Sequence, residues 1–235
     1  MDFFESKQEH YLILFRQSII YMKKTAIVFL TLCIVLAFGC RWVGIRGNGN
    51  IKTDDRTVNA FSEIDVGGAF EIEWQNGPPA LQITTDENLL SYVKADVSGD
   101  TLQLRTHDQI WPTHEIKVVI SSPTRTAARI RGAVRLTVNQ LSGPKFALEA
   151  SGASRVSLDG KIDELLADMT GASQLEAGGL QTKTAEISTT GAGDAEIAVA
   201  EKLKVAITGA GKVSYSGNPT VEKHITGAGS VRRKD

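Results

Sequence analysis

A three-residue phrase returns at nearly constant spacing through the second half of this chain. It reads Arg131-Gly132-Ala133, Ser151-Gly152-Ala153, Thr170-Gly171-Ala172, Thr190-Gly191-Ala192, Thr208-Gly209-Ala210 and Thr226-Gly227-Ala228. Successive glycines stand 20, 19, 20, 18 and 18 residues apart. A fixed period of this size marks a solenoid, in which each repeat buries its apolar face only against its neighbours.

Aligning the repeats on the glycine shows which kind. Four residues after it stand Leu136, Val156, Leu175, Ala195, Val213 and Val231; two before it stand Ile130, Ala150, Met169, Thr189, Ile207 and Ile225. The columns six after and four before are also mostly apolar, while the odd columns are polar. Alternation with period 2 on both sides of the glycine means strand, bend, strand. Like positions stacked rung on rung give parallel strands ~4.8 Å apart. The glycine turns the corner, the alanine after it is expected in a tight inward site, and Gly193, Gly211 and Gly229 reinforce the bend. Lys223 and Arg233 stand in otherwise apolar columns and predict a polar cap on the last rung. The fold expected is all-β: a parallel β-helix or β-solenoid with about 18–20 residues per rung over residues 128–235.

Residues 51–127 are β-rich but less regular. Val58, Phe61, Ile64 and Val66 lead into an alternating stretch from Ala69 to Trp74, and Gln75-Asn76-Gly77-Pro78-Pro79 makes a turn. Leu81–Thr84, Thr101–Arg105 and Glu115–Ile120 read as further strands, and Asp86 as the cap of a single helical turn ending at Tyr92. These strands form an irregular opening sheet that covers the first rung of the solenoid. Trp74, in an alternating strand, is expected in the core.

The N-terminus reads as an address. Met22-Lys23-Lys24 is followed by a run without charge from Ala26 to Gly39, of the length of a signal-peptide apolar region and short for a membrane span. Residues 22–39 are therefore assigned to a signal peptide, and residues 1–21 to an extension upstream of the true start. Leu36-Ala37-Phe38-Gly39-Cys40 resembles a bacterial lipobox, with Ala37 where leucine or valine is usual. Such a match implies cleavage before Cys40 and acylation of that residue, which holds the protein on a membrane. Residues 40–50 then comprise the lipidated cysteine and a tether made flexible by Gly44, Gly47, Asn48, Gly49 and Asn50.

Beyond the repeat, the chain carries Gly47-Asn48-Gly49-Asn50, Arg56-Thr57-Val58 before Phe61, and Ile64-Asp65-Val66-Gly67-Gly68-Ala69-Phe70. It also carries Thr85-Asp86-Glu87-Asn88-Leu89-Leu90 and Gly99-Asp100-Thr101-Leu102. Together with the Gly-Ala-Gly corners, these resemble the auto-transporter adhesin, head GIN domain family of Gram-negative envelope lipoproteins, from Gly47 to Val231. The resemblance implies an all-β, β-helix-like fold and an adhesive role, and brings no catalytic residues. The auto-transporter part of the label does not carry over, because no alternating strands follow Val231 to build a membrane barrel.

Composition narrows the chemistry. With 26 Lys and Arg against 27 Asp and Glu, the formal charge of −1 leaves no basic footprint, so no nucleic-acid partner is expected. Two cysteines make neither a disulfide scaffold nor a structural zinc site, and no cofactor is expected. His107 and His114 share a loop without a third ligand, and His224 has no apparent partner. Glu149 and Asp168 both stand three before their glycine, on adjacent rungs, near the ~5 Å separation used by retaining glycosidases. A solvated ladder with a weak ion pair accounts for them equally well. Thr170, Thr190, Thr208 and Thr226 form a hydroxyl-rich outward strip suited either to an ordered ligand surface or simply to β propensity. Trp42, Trp74 and Trp111 are the side chains able to stack on sugars.

The function these readings support is a non-enzymatic, lipid-anchored envelope protein, held on the outer membrane through Cys40, that binds a glycan or protein. A periplasm-facing structural protein is the alternative, because Arg41 and Trp42 follow Cys40 where export tags in related lipoproteins tend to be acidic. A carbohydrate-active enzyme built on Glu149 and Asp168 is the third reading.

Overall fold

The structure, a computed structural model, describes residues 44–234. Cys40, the signal-peptide segment and Trp42 lie outside the described residues. Ile45–Asp235 makes one compact unit.

Among the described residues, fifteen strands follow in chain order. The opening part has β1 (Ile45–Arg46), β2 (Ile51–Arg56), β3 (Glu63–Asn76), β4 (Ala80–Asp86), a 3₁₀ turn (Glu87–Tyr92), β5 (Val93–Ser98), β6 (Thr101–Thr106), β7 (Ile110–Trp111) and β8 (Lys117–Ser122). The repeat has β9 (Ala127–Gly152), β10 (Arg155–Gly171), β11 (Gln174–Gly191), β12 (Asp194–Gly209), β13 (Lys212–Ser216), β14 (Thr220–Gly227) and β15 (Ser230–Arg233). Strands β9 to β15 stack in parallel, each position over its equivalent: Gly171 on Gly152 and under Gly191, Leu175 between Val156 and Ala195. This is the expected β-solenoid, of about five turns.

The even columns are the core. Ile130, Leu136, Leu148, Val156, Met169, Leu175, Ile187, Ile197 and Ile207 are all buried. On the last rung Ile225 and Val231 are only half-buried, while Lys223 and Arg233 are exposed, as a polar end rung requires.

Each rung has two bends of different character. Around the glycine corner the register is unbroken, but around the other bend it slips, between Leu158 and Gly160 and between Ala177 and Gln181. The change of repeat length from 20 to 18 is absorbed there by β-bulges, which leave one strand with extra residues.

At the regular corner Gly191 has φ +119°, and a Cβ placed on it would lie 2.6 Å from the carbonyl oxygen of Gly171 one rung below. Only glycine fits both constraints. The alanine after each glycine is not inward as expected. Ala133, Ala153, Ala172, Ala192, Ala210 and Ala228 are all exposed, because the left-handed glycine turns three consecutive residues outward. The inward corner site falls to the next column, Val134, Ser154, Ser173, Gly193 and Gly211.

The opening part contributes a rung of its own. Strand β3 pairs in parallel with β9 from Glu63↔Ala127 to Trp74↔Val138, with Gly68 on Gly132 and Ala69 on Ala133. Strands β8, β4 and β2 continue the sheet beyond β3, and the β6–β5 hairpin pairs along its other half, so the first rung is covered. Trp74 is fully buried as expected, its ring against Phe61 and Phe146 at 6.2 and 6.3 Å and its indole N–H donating to Ser122 Oγ at 2.9 Å.

Two buried charges tie this part together. Arg125 donates from Nη1 to the carbonyls of Asn139 and Trp74 and from Nη2 to that of Gln140, at 2.7, 3.3 and 2.7 Å. Those bonds hold Gln140 at φ 54°, the single positive φ outside glycine among the described residues. Asp86 is fully buried and does not cap the 3₁₀ turn it precedes. Its carboxylate instead accepts from the N–H of Gly49 at 2.7 Å, the N–H of Thr113 at 2.9 Å and the Thr113 hydroxyl at 2.8 Å. Residues 45–50, assigned above to a flexible tether, are therefore folded: β1 pairs with β7, and Gly47 N–H donates to the Trp111 carbonyl at 2.9 Å. Composition suggested slack chain, but these glycines permit the close approach to Asp86.

Candidate functional site

The exposed corner alanines have a structural consequence. With small outward residues at the bend, the surface there sinks into an open groove of about 670 Å³. Its floor is the methyl ladder Ala69, Ala133, Ala153 and Ala172, one residue per rung. The Pro112–Ile116 segment, brought over β3 by the Asp86–Thr113 bonds, makes one wall. Arg135, Arg155 and Gln174, three residues after their glycines, make the other.

The polar groups of the groove are unevenly matched. Arg135 donates to Glu115 at 2.8 Å across it. Arg155 donates from Nε to Gln174 Oε1 at 3.0 Å and stands 3.7 Å from Glu176. His114 lies at the rim, its Nδ1 3.1 Å from the Thr113 hydroxyl. Trp111, next to the Pro112 wall, is 45 % exposed.

The residues singled out from the sequence fall elsewhere on the same solenoid. Thr170, Thr190, Thr208 and Thr226 are exposed and in direct register, continuing the glycine corner beyond the groove on the opposite side of the glycines from the alanines. Glu149 and Asp168 are likewise exposed partners on adjacent strands. Glu149, however, is gripped by Arg129, Nε at 2.7 Å and Nη2 at 3.3 Å. That guanidinium holds its carboxyl below the usual carboxylate range. His107 pairs with Asp108 at 3.1 Å, and His224 is exposed. Among the described residues no three His, Cys, Asp or Glu side chains gather as metal ligands.

The groove itself was not read from the sequence. The columns contain Ala133, Arg135, Ala153, Arg155, Ala172 and Gln174, but the groove's depth depends on which way the alanines face and on the distant Pro112–Ile116 wall.

A glycine-cornered β-solenoid with an opening cap and a corner groove is the class that this geometry defines. Residues 60–219 match the family described as "Putative auto-transporter adhesin, head GIN domain", and the chain belongs to that family. No curated protein matches the sequence. Among solved structures, a "putative adhesin" from Bacteroides fragilis NCTC 9343 is 22% identical with a TM-score of 0.69, covering 81% of this chain and 100% of that one. A "putative adhesin" from Parabacteroides merdae ATCC 43184 is 20% identical with a TM-score of 0.54, covering 82% and 100%. A "putative lipid binding protein" from Parabacteroides distasonis ATCC 8503 is 21% identical with a TM-score of 0.52, covering 81% and 99%. At these identities the likeness is one of fold.

Proposed function

We propose that this protein is a non-enzymatic adhesin: a rigid binding module held at the bacterial envelope by lipid on Cys40, presenting its glycine corner to a glycan or protein. The observation that carries this reading is the groove of about 670 Å³ on that corner, within the volume range of ligand sites and lined by a few convergent polar groups over an apolar floor. Family membership and the names of the structural neighbours point the same way. The strip of Thr170, Thr190, Thr208 and Thr226 extends the binding edge beyond the groove.

A non-enzymatic role is supported by the state of Glu149. An acid catalyst of glycoside cleavage needs a raised pKa, and the Arg129 guanidinium lowers this one.

Anchoring and exposure are tested on cells carrying a tag after Asp235. Labelled fatty acid enters the wild-type protein and not the Cys40→Ala variant. Protease on intact cells removes the tag if the solenoid faces outward. Protection until lysis rejects direct adhesion and favours the periplasm-facing structural protein, the reading that Arg41 and Trp42 support.

A further inference from the structure

Arg155 stands directly over Arg135 on the adjacent strand. Like charges facing one another across paired strands are destabilising. Other positions on the outer face set a cation against a carboxylate, as Arg129 with Glu149, Lys145 with Glu164 and Lys204 with Glu222, while Glu149 with Asp168 and Glu176 with Glu196 are like-charged acidic neighbours. Arg135 is relieved by Glu115 at 2.8 Å. Arg155 has only the amide oxygen of Gln174 on Nε and a loose carboxylate at 3.7 Å. Among the described residues no hydrogen bond engages its two Nη groups, the fork that matches a carboxylate bidentately. The stacked pair lines the groove beside a row of exposed methyls.

We infer that the groove binds an acidic glycan, with a sugar carboxylate received by the Arg155 fork and the Arg135 charge behind it. This deepens the adhesin reading and rests on it. The methyl floor offers an apolar seat for the C–H face of a pyranose ring, and its rise of one rung per ~4.8 Å suits a ligand that itself repeats. An isolated small anion would use the arginines and leave the floor uncovered.

The test uses the full chain in detergent, captured by a C-terminal tag, with four polymers: polygalacturonate, its fully methyl-esterified form, dextran sulfate and poly-glutamate. Polygalacturonate is expected to bind, with affinity falling as salt rises. Esterification and Arg155→Gln are each expected to weaken binding about tenfold or more, the size of a lost hydrogen-bonded charge contact. The thermal midpoint of Arg155→Gln should be unchanged or higher, since a like-charge contact is removed; a lower midpoint marks Arg155 as structural and overturns the inference. Equal binding of the ester, abolished by the groove-filling Ala153→Trp, overturns the acidic ligand while sparing the adhesin. Preference for dextran sulfate or poly-glutamate overturns the sugar carboxylate. Absence of binding to all four overturns the inference, while fatty-acid labelling and protease exposure still report on the anchored module.

Discussion

The two halves of the solenoid are held by different means. In the repeat, the buried polar side chains are hydroxyls alone, Ser154, Ser173, Thr182 and Thr189, and the rungs are joined by backbone ladders over apolar columns. In the opening part, the buried set includes Asp86 and Arg125, whose bonds reach as far as 37 and 51 residues along the chain. A repeat can be built from local rules, because each rung presents the surface its neighbour needs. An end cannot, because it must stop the stack and satisfy backbone groups that no further rung will meet. Regularity stabilises the middle of such a protein, and specific polar clasps stabilise its beginning.

Four substitutions sharpen this contrast. The largest effect is expected in the middle, from Gly191→Val. The side chain would need φ +119° and would drive into the Gly171 carbonyl, at a cost of about 3 kcal/mol or more, read as a large drop in the denaturant midpoint. A loss below about 1 kcal/mol would mean that the corner relaxes and the stack is less rigid than its register implies.

Next comes Arg125→Met at the junction of the halves. It leaves the carbonyls of Asn139 and Gln140 without their donor and is expected to cost about 2–3 kcal/mol by chemical denaturation. Hydrogen exchange should loosen around Gln140 before the distal rungs.

The Asp86→Asn change tests the opening clasp through pH. Burial pushes the Asp86 carboxyl up, but donors on Thr113 and Gly49 outweigh it and hold the group below its ordinary value of 3.8. The unfolded chain therefore takes up the proton first as pH falls. Stability from this carboxylate is complete above about pH 4 and is lost as pH drops through the lowered pKa. The variant should be less stable by about 2 kcal/mol at neutral pH, and the gap should narrow in acid. A gap that stays constant with pH would deny the charge its role.

The smallest effect is expected to be a gain. Thr189 Oγ1 is buried without a hydrogen-bond partner, and Gly193 leaves room beside it. Thr189→Val keeps the shape, removes the unmet hydroxyl and should stabilise the repeat by about 1 kcal/mol, visible as a raised melting temperature. A loss would point to a water or partner at that hydroxyl.

How much was legible follows the same division. The columns on either side of Gly132, Gly152, Gly171, Gly191, Gly209 and Gly227 gave the strands, the buried face and the end rung. Strand β3 was missed as a rung, although Ile64, Val66, Phe70, Ile72 and Trp74 stand in the same columns about Gly68. The signal was present in Gly67-Gly68-Ala69, but 64 residues separate Gly68 from Gly132, and the inserted strands broke the period. The Asp86 clasp left no local trace, because its donors come from Gly49 and Thr113 on either side along the chain. Glu149 with Asp168 and the four threonines stand in register on adjacent rungs, which the columns alone imply, while the groove stayed hidden.

Period, alternation and hence the parallel stack are written along the chain, because in-register stacking sets each residue against its own equivalent and turns a one-dimensional pattern directly into contacts. It took the folded chain to turn the corner alanines outward, to let Asp86 draw the Thr113 segment over β3, and to open a groove beside the stacked Arg135 and Arg155. Those outcomes depend on the sign of one backbone angle and on contacts between distant segments, which no local pattern encodes.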